Sequence, residues 1–188
     1  MFVTILGVDH ELQQQDATGD FRKMLEGIID EHPVHLIAEE AKQNYSTIPR
    51  QVAESRSIDW LGVDTTPEDK IRLGIADELT NRPGDLLFDE NTNYGVTGMY
   101  LPNADGIREA LWVSRTLESR AEAAIFVCGM LHLQKMADRF VSAGCEVIQT
   151  NVCETEWYKQ NYATLRLVTD ERGNVWYEAK FVTPKPIY

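Results

Sequence analysis

Two Gly-x-x-His tetrads carry the strongest chemical signal in this chain: Gly7-Val8-Asp9-His10 and Gly129-Met130-Leu131-His132. With 12 glycines and 4 histidines in 188 residues, chance predicts only about a quarter of one such tetrad. Each tetrad follows an apolar, β-rich run, FVTIL and AAIFVC. The glycine permits a tight turn or a close backbone approach at the strand end. The histidine then lands at the rim of a sheet. His132 also opens the helix headed by Leu133, whose positive end disfavours an imidazolium. A neutral imidazole is what a metal ligand or a general base must be.

Carboxylates sit at the other strand ends. Glu39-Glu40 follows VHLIA, and Asp64 follows IDWLGV. Adjacent strand residues point to opposite faces, so only one of the two glutamates can face a given site. Glu39, directly after the apolar run, is the favoured one. Asp64 reads first as a helix cap and second as a site residue. Two histidines with such carboxylates suit Zn, Mn or Fe. Arg108 and Arg115 lie seven residues apart on one helix face, with Leu111 and Trp112 between them. A guanidinium partly buried among such residues needs an anionic partner. Cys128 precedes Gly129, where a nucleophilic thiol is conceivable, but packing is the favoured role. His32 and His35 read as structural. The P-loop, dinucleotide and nucleophile-elbow patterns are absent from the sequence.

Something must position these groups. Short apolar runs predict strands at 2–7, 34–38, 58–63, 123–128 and 146–150. Amphipathic spacing predicts helices headed by Phe21, between 105 and 120, and from Leu133 to a stop at Gly144. Thr47 is placed to cap a further helix with Pro49 in its first turn, and another restarts at Pro67. Residues 11–20 read as a polar loop. Residues 81–104, rich in Gly, Pro, Asn and Asp, form the longest irregular segment, read as a surface excursion or a lid. ATLRLVT and VWYEAKFV flank a Gly173-Asn174 turn and predict a hairpin, expected to add antiparallel strands at a sheet edge. The fold expected is a three-layer α/β/α domain with a mostly parallel sheet and a C-terminal β-hairpin. It spans 1–188 as one domain, with a core over 1–152 and the extension over 153–188. Ligands of such sheets bind beyond the carboxyl ends of the strands.

Charge narrows the partners. Thirty acidic against 18 basic residues give a formal net charge of −12. So acidic a protein is not expected to bind nucleic acid or an anionic membrane. The first residues lack the basic start of an export signal, and no run is long enough to span a bilayer. Three cysteines, an odd number without a CxxC, suggest reduced thiols and a cytoplasmic setting. Oligomeric state is not legible.

The order strand-GVDH, strand-LIAEE, a helix with REALWVSRTL, then strand-CGMLHL resembles one superfamily. Its members include the TraB pheromone-shutdown proteins, Tiki proteins, ChaN-like haem-binding proteins and erythromycin esterases. The resemblance covers residues 1–152. It implies one pocket formed by Gly7 and His10, Gly129 and His132, Glu39 (or Glu40), and Arg108. The chain departs from the family in its short length, its doubled glutamate and the lack of a glycine soon after His10. On this resemblance the chain is a metal-dependent hydrolase acting on an ester or amide bond of a small molecule or peptide. His10, Glu39 and His132 would hold a divalent Mn, Zn or Co or act as bases, Arg108 would stabilise an oxyanion, and Gly7 and Gly129 would shape the cofactor pocket. Two alternatives are a haem or other cofactor binder of the ChaN-like kind, and an interaction module with a vestigial site.

Overall fold

The computed structural model describes residues 1–73, 88–89, 94–95, 104–153, 165–169 and 175–179. Five strands form one parallel sheet: β1 (Phe2–Val8), β2 (Leu36–Glu39), β3 (Asp59–Gly62), β6 (Ala123–Gly129) and β7 (Glu146–Cys153), in the order β3-β2-β6-β1-β7. Two further pairs stand apart as two-stranded antiparallel sheets: β4 (Phe88–Asp89) with β5 (Tyr94–Gly95), and β8 (Leu165–Thr169) with β9 (Val175–Ala179). The expected α/β fold with a C-terminal hairpin is present. Among the described residues the hairpin is its own sheet, not an addition to the edge of the main one. Local patterning specifies each hairpin strand, whereas joining a distant edge depends on long-range pairing. The hairpin turn at 170–174, and most of the segment 81–104, lie outside the described residues.

Helices cover both faces. On one lie α2 (Asp20–Glu31) and α3 (Ile48–Arg56); on the other, α5 (Ala104–Glu118) and α6 (Leu133–Ser142). Strand alternation sorts the core between them. Val3, Ile5, Leu36, Ala38, Ala124, Phe126 and Cys128 pack with Trp112 of α5 and Met136 and Phe140 of α6. Leu6, Val8, Ile37, Ile125 and Val127 pack with Phe21, Leu25 and Ile28 of α2 and Val52 of α3. Each large apolar side chain so buried contributes roughly 1.5–3 kcal/mol. Among the described residues no helix is long and apolar enough to cross a membrane.

The adjacent strands β1 and β6 run in register, Gly7 beside Cys128 and Val8 beside Gly129. The chain leaves β1 toward α2 on one face and leaves β6 toward α6 on the other. Connections that part in this way open a crevice at the carboxyl ends of the strands. It receives both Gly-x-x-His loops.

Two local devices differ from the sequence reading. Residues 11–14, part of the segment 11–20 expected as loop, belong to a short helix, α1 (His10–Gln14). The Asp9 side chain caps it by accepting from the Glu11 N–H at 3.1 Å, and Leu12 and Gln13 are buried. A polar segment without apolar periodicity gains its helix from the cap and from tertiary packing. The helix α4 (Pro67–Leu73) is capped by Thr66, not Asp64: the Asp69 N–H donates to Thr66 Oγ1 and the Thr66 N–H to Asp69 Oδ2, a reciprocal box. Arg115 donates to the carbonyls of Val63 and Asp64 and to Asp69. Burial raises the Asp69 pKa, but bonds from Thr66, Arg115 and Arg72 outweigh it and hold the carboxyl well below the usual range. Arg115 thus pins the exit of β3 to α5.

Candidate functional site

His10 stands at the first position of α1, three residues before Gln13, so both lie on one helix face. His10 Nδ1–H donates to Gln13 Oε1 at 2.7 Å, which leaves Nε2 directed elsewhere. The side chain is 58% exposed and open to solvent. His132 ends a single 3-10 turn, Met130–His132, before α6. It is buried, and its Nδ1 bonds Glu109 Oε1 at 2.9 Å. Both rings turn Nε2 toward one carboxylate: His10 Nε2 lies 3.9 Å from Glu40 Oε2, and His132 Nε2 lies 3.8 Å from Glu40 Oε1.

The carboxylate between the histidines is therefore Glu40, where the sequence favoured Glu39. The alternation rule itself holds. Leu36, Ala38 and Glu40 share the face of α5 and α6, which carry Arg108 and follow His132, while Ile37 and Glu39 share the face of α3. Which parity faces the histidines depends on which layer each helix joins, and no local pattern carries that. Glu40 Oε2 accepts the Gly129 N–H at 2.9 Å, and Glu40 Oε1 accepts from Arg108 Nη2 at 3.4 Å.

Glu39 is completely buried. Its Oε2 accepts from the Thr47 hydroxyl at 2.6 Å and from Trp60 Nε1 at 2.9 Å. Thr47 also caps α3, as expected, by accepting from the Arg50 N–H. Glu39 Oε1 has no hydrogen-bond partner among the described residues. Burial pushes the Glu39 pKa up, the bonds from Thr47 and Trp60 and the charge of His10 pull it part-way back, and it stands at about 7.

Arg108 joins the site from α5. Its Nη2 also donates to Asp64 Oδ1 at 3.1 Å, and its guanidinium carbon lies 5.0 Å from the Trp112 ring centroid. Asp64 is thus a partner of Arg108. Trp112 and His132 pack in a T-shaped pair with centroids 5.1 Å apart. His10, Gln13, Glu39, Glu40, Lys42, Tyr45, Asp64 and Arg108 border a cleft of about 280 Å³.

The two glycines serve the two loops reciprocally. A Cβ on Gly7 would stand 3.4 Å from Leu133 Cβ and from Met130 Cα, in the second loop. A Cβ on Gly129 would stand 2.7 Å from His10 Nε2, at the end of the first.

Glu109 was not among the sequence candidates. It is 1% exposed, and its Oε2 accepts from Arg139 Nε at 3.0 Å. Burial raises its pKa, but the hydrogen bonds from His132 and Arg139 prevail and hold it below the ordinary value. Its spacing of three and seven to the buried Trp112 and Thr116 was the available signal. Cys128 is buried, and burial, followed by the charges of Glu40 and Glu109, pushes its thiol well above the ordinary value. That is an inert packing cysteine. His35 is exposed and His32 half-buried, both beyond the lining of the cleft.

Compared with known proteins, the chain matches no family model, no curated protein and no solved structure.

Proposed function

We propose that the cleft hydrolyses an ester or amide bond, with His10 as the general base. The observation that carries this reading is the pair of histidines on one carboxylate, each ring hydrogen-bonded through Nδ1 and turned by Nε2 toward Glu40. The motif order that resembles the Tiki and TraB superfamily adds to it. His10 is the more exposed ring and takes a proton from water at Nε2. Glu40 stabilises the imidazolium that results. The water oxygen attacks the carbonyl carbon, and Arg108, held by Glu40 and Asp64 at the border of the cleft, offers fixed positive charge to the oxyanion. His10 then returns the proton to the departing alcohol or amine. A cleft of about 280 Å³ is at the lower end for drug-sized ligands, which favours a small acyl group over a macrocycle such as haem.

The donor chemistry of His10, Glu40 and His132 fits a divalent ion. Nitrogen and carboxylate donors suit Mn, Zn or Co, and both rings have the Nδ1 partner that metal-bound histidines use. As they stand, no three His, Cys, Asp or Glu side chains among the described residues converge on one centre. When bound, the ion would supply Lewis-acid activation of water.

Activated aryl esters and anilides, assayed with the full chain and with added Mn, Zn or Co, test the proposal. The wild type should accelerate hydrolysis, and His10→Ala should lower the rate about 10²- to 10⁴-fold, the usual contribution of a general base. A folded His10→Ala protein that hydrolyses as fast as the wild type contradicts it.

Gly129→Ala isolates placement from chemistry. Gly129 has φ −57° and ψ 143°, which alanine adopts readily. The new Cβ meets an exposed, movable imidazole, so the ring swings away and the strand stays. Stability should change by less than about 1 kcal/mol. Hydrolysis should fall about a hundredfold, as expected for a reacting group displaced by about 1 Å. Thermal melts beside kcat measure both.

A further inference from the structure

Glu109 is not among the residues bordering the cleft and bonds His132, whose Nε2 is turned toward Glu40. It has two carboxylate oxygens for two donors: Oε1 receives His132 Nδ1 at 2.9 Å and Oε2 receives Arg139 Nε at 3.0 Å, with Lys135 Nζ 3.9 Å from Oε1. The carboxylate is 1% exposed, while the arginine and lysine side chains reach solvent at 36% and 50%. A buried carboxylate held by an arginine on one side is an acceptor on the other, and an acceptor at Nδ1 demands a proton there. We propose that Glu109 is a positioning residue that fixes His132 as the Nδ1–H tautomer and so puts the Nε2 lone pair on the Glu40 side. Arg139 is the clamp that orients Glu109. This rests on the reading of His132 as part of the hydrolytic site, but the assignment concerns the ring alone and is read without substrate.

Glu109→Gln gives the sharpest test, because glutamine has the same shape and only one acceptor oxygen. The permanently charged Arg139 claims that oxygen. The amide NH₂ then faces His132 Nδ1, which can receive it only as an unprotonated nitrogen. The tautomer of His132 should invert to Nε2–H. Adding Arg139→Ala frees the glutamine oxygen to face His132, and the original tautomer should return. A Glu109→Gln protein has the surface and volume of the wild type, and circular dichroism checks its fold.

The readout is the ¹⁵N spectrum of the histidine rings in metal-free full-length protein, assigned by comparison with His132→Ala. In the wild type Nδ1 of His132 should resonate as a protonated ring nitrogen and Nε2 as an unprotonated one. In Glu109→Gln the two should exchange positions, and in Glu109→Gln/Arg139→Ala they should exchange back. A wild-type ring protonated at Nε2 alone, or a folded Glu109→Gln protein whose His132 spectrum is unchanged, overturns the assignment. If the tautomers behave as stated while His10→Ala retains full hydrolysis, the catalytic reading fails and this one stands.

Discussion

Arg108→Ala should lower the unfolding free energy by about 3–5 kcal/mol, the range for removing one partner of a buried ion pair. The guanidinium is 12% exposed and bridges Glu40 and Asp64, which are 5% and 20% exposed. Removing it leaves two largely buried carboxylates without their shared cation. It also removes the stacking on Trp112, worth about 0.5–2 kcal/mol. Were the arginine only an exposed surface partner, the loss would be about 1 kcal/mol or less. Urea denaturation distinguishes the two, provided the slope with denaturant is unchanged. Adding Glu40→Gln and Asp64→Asn to Arg108→Ala should recover part of the loss, because the stranded charges are gone. A loss below 1 kcal/mol in the single variant would mean that Arg108 is solvated and does not organise the strand ends.

Glu39→Gln should make the protein more stable above neutral pH and change little in acid. The Glu39 carboxyl titrates at about 7 in the folded chain, against an ordinary 4.5, because burial outweighs the bonds from Thr47 and Trp60. Below pH 4.5 both the folded and unfolded chains hold the proton. Between 4.5 and 7 the unfolded chain releases it and the folded chain keeps it, so stability falls as pH rises. Above 7 the full cost is present, roughly 3 kcal/mol for a shift of this size. Glutamine keeps an acceptor for Thr47 and Trp60 and does not titrate. The difference in unfolding free energy between Glu39→Gln and wild type should therefore grow by roughly 3 kcal/mol from pH 4.5 to 8. Because other groups titrate alike in both proteins, they cancel in that difference. Parallel stability curves would show that Glu39 titrates in the fold as it does in the unfolded chain.

Much of the framework was legible because it is encoded locally. β1 and β6 are short apolar runs with a glycine at or one residue before the end, and Thr47 before Pro49 caps α3 as its chemistry requires. The two histidines and Arg108 were legible for the same reason, since spacing alone singled them out. What was not legible depends on pairing across the fold. Whether Glu39 or Glu40 meets the histidines is set by which sheet face α5 and α6 cover. Asp64 resembled a cap beside Thr65, Thr66 and Pro67, yet the capping falls to Thr66 and Asp69, which leaves Asp64 for Arg108. α1 escaped notice because it has no apolar stripe, although Asp9 and the His10–Gln13 spacing mark it in retrospect. Glu109 was not singled out because its partners, His132 and Arg139, lie 23 and 30 residues away in sequence.

The account turns on the two Gly-x-x-His loops forming one catalytic unit around Glu40. Hydrolysis rates of His10→Ala, His132→Ala and the double variant, measured on one ester beside the wild type, test that most directly. Groups that act together are strongly non-additive. Each single variant should lose most of the activity, and the double variant should be no slower than the slower single. Losses that multiply in the double variant, or a single variant with the wild-type rate, would contradict a shared site.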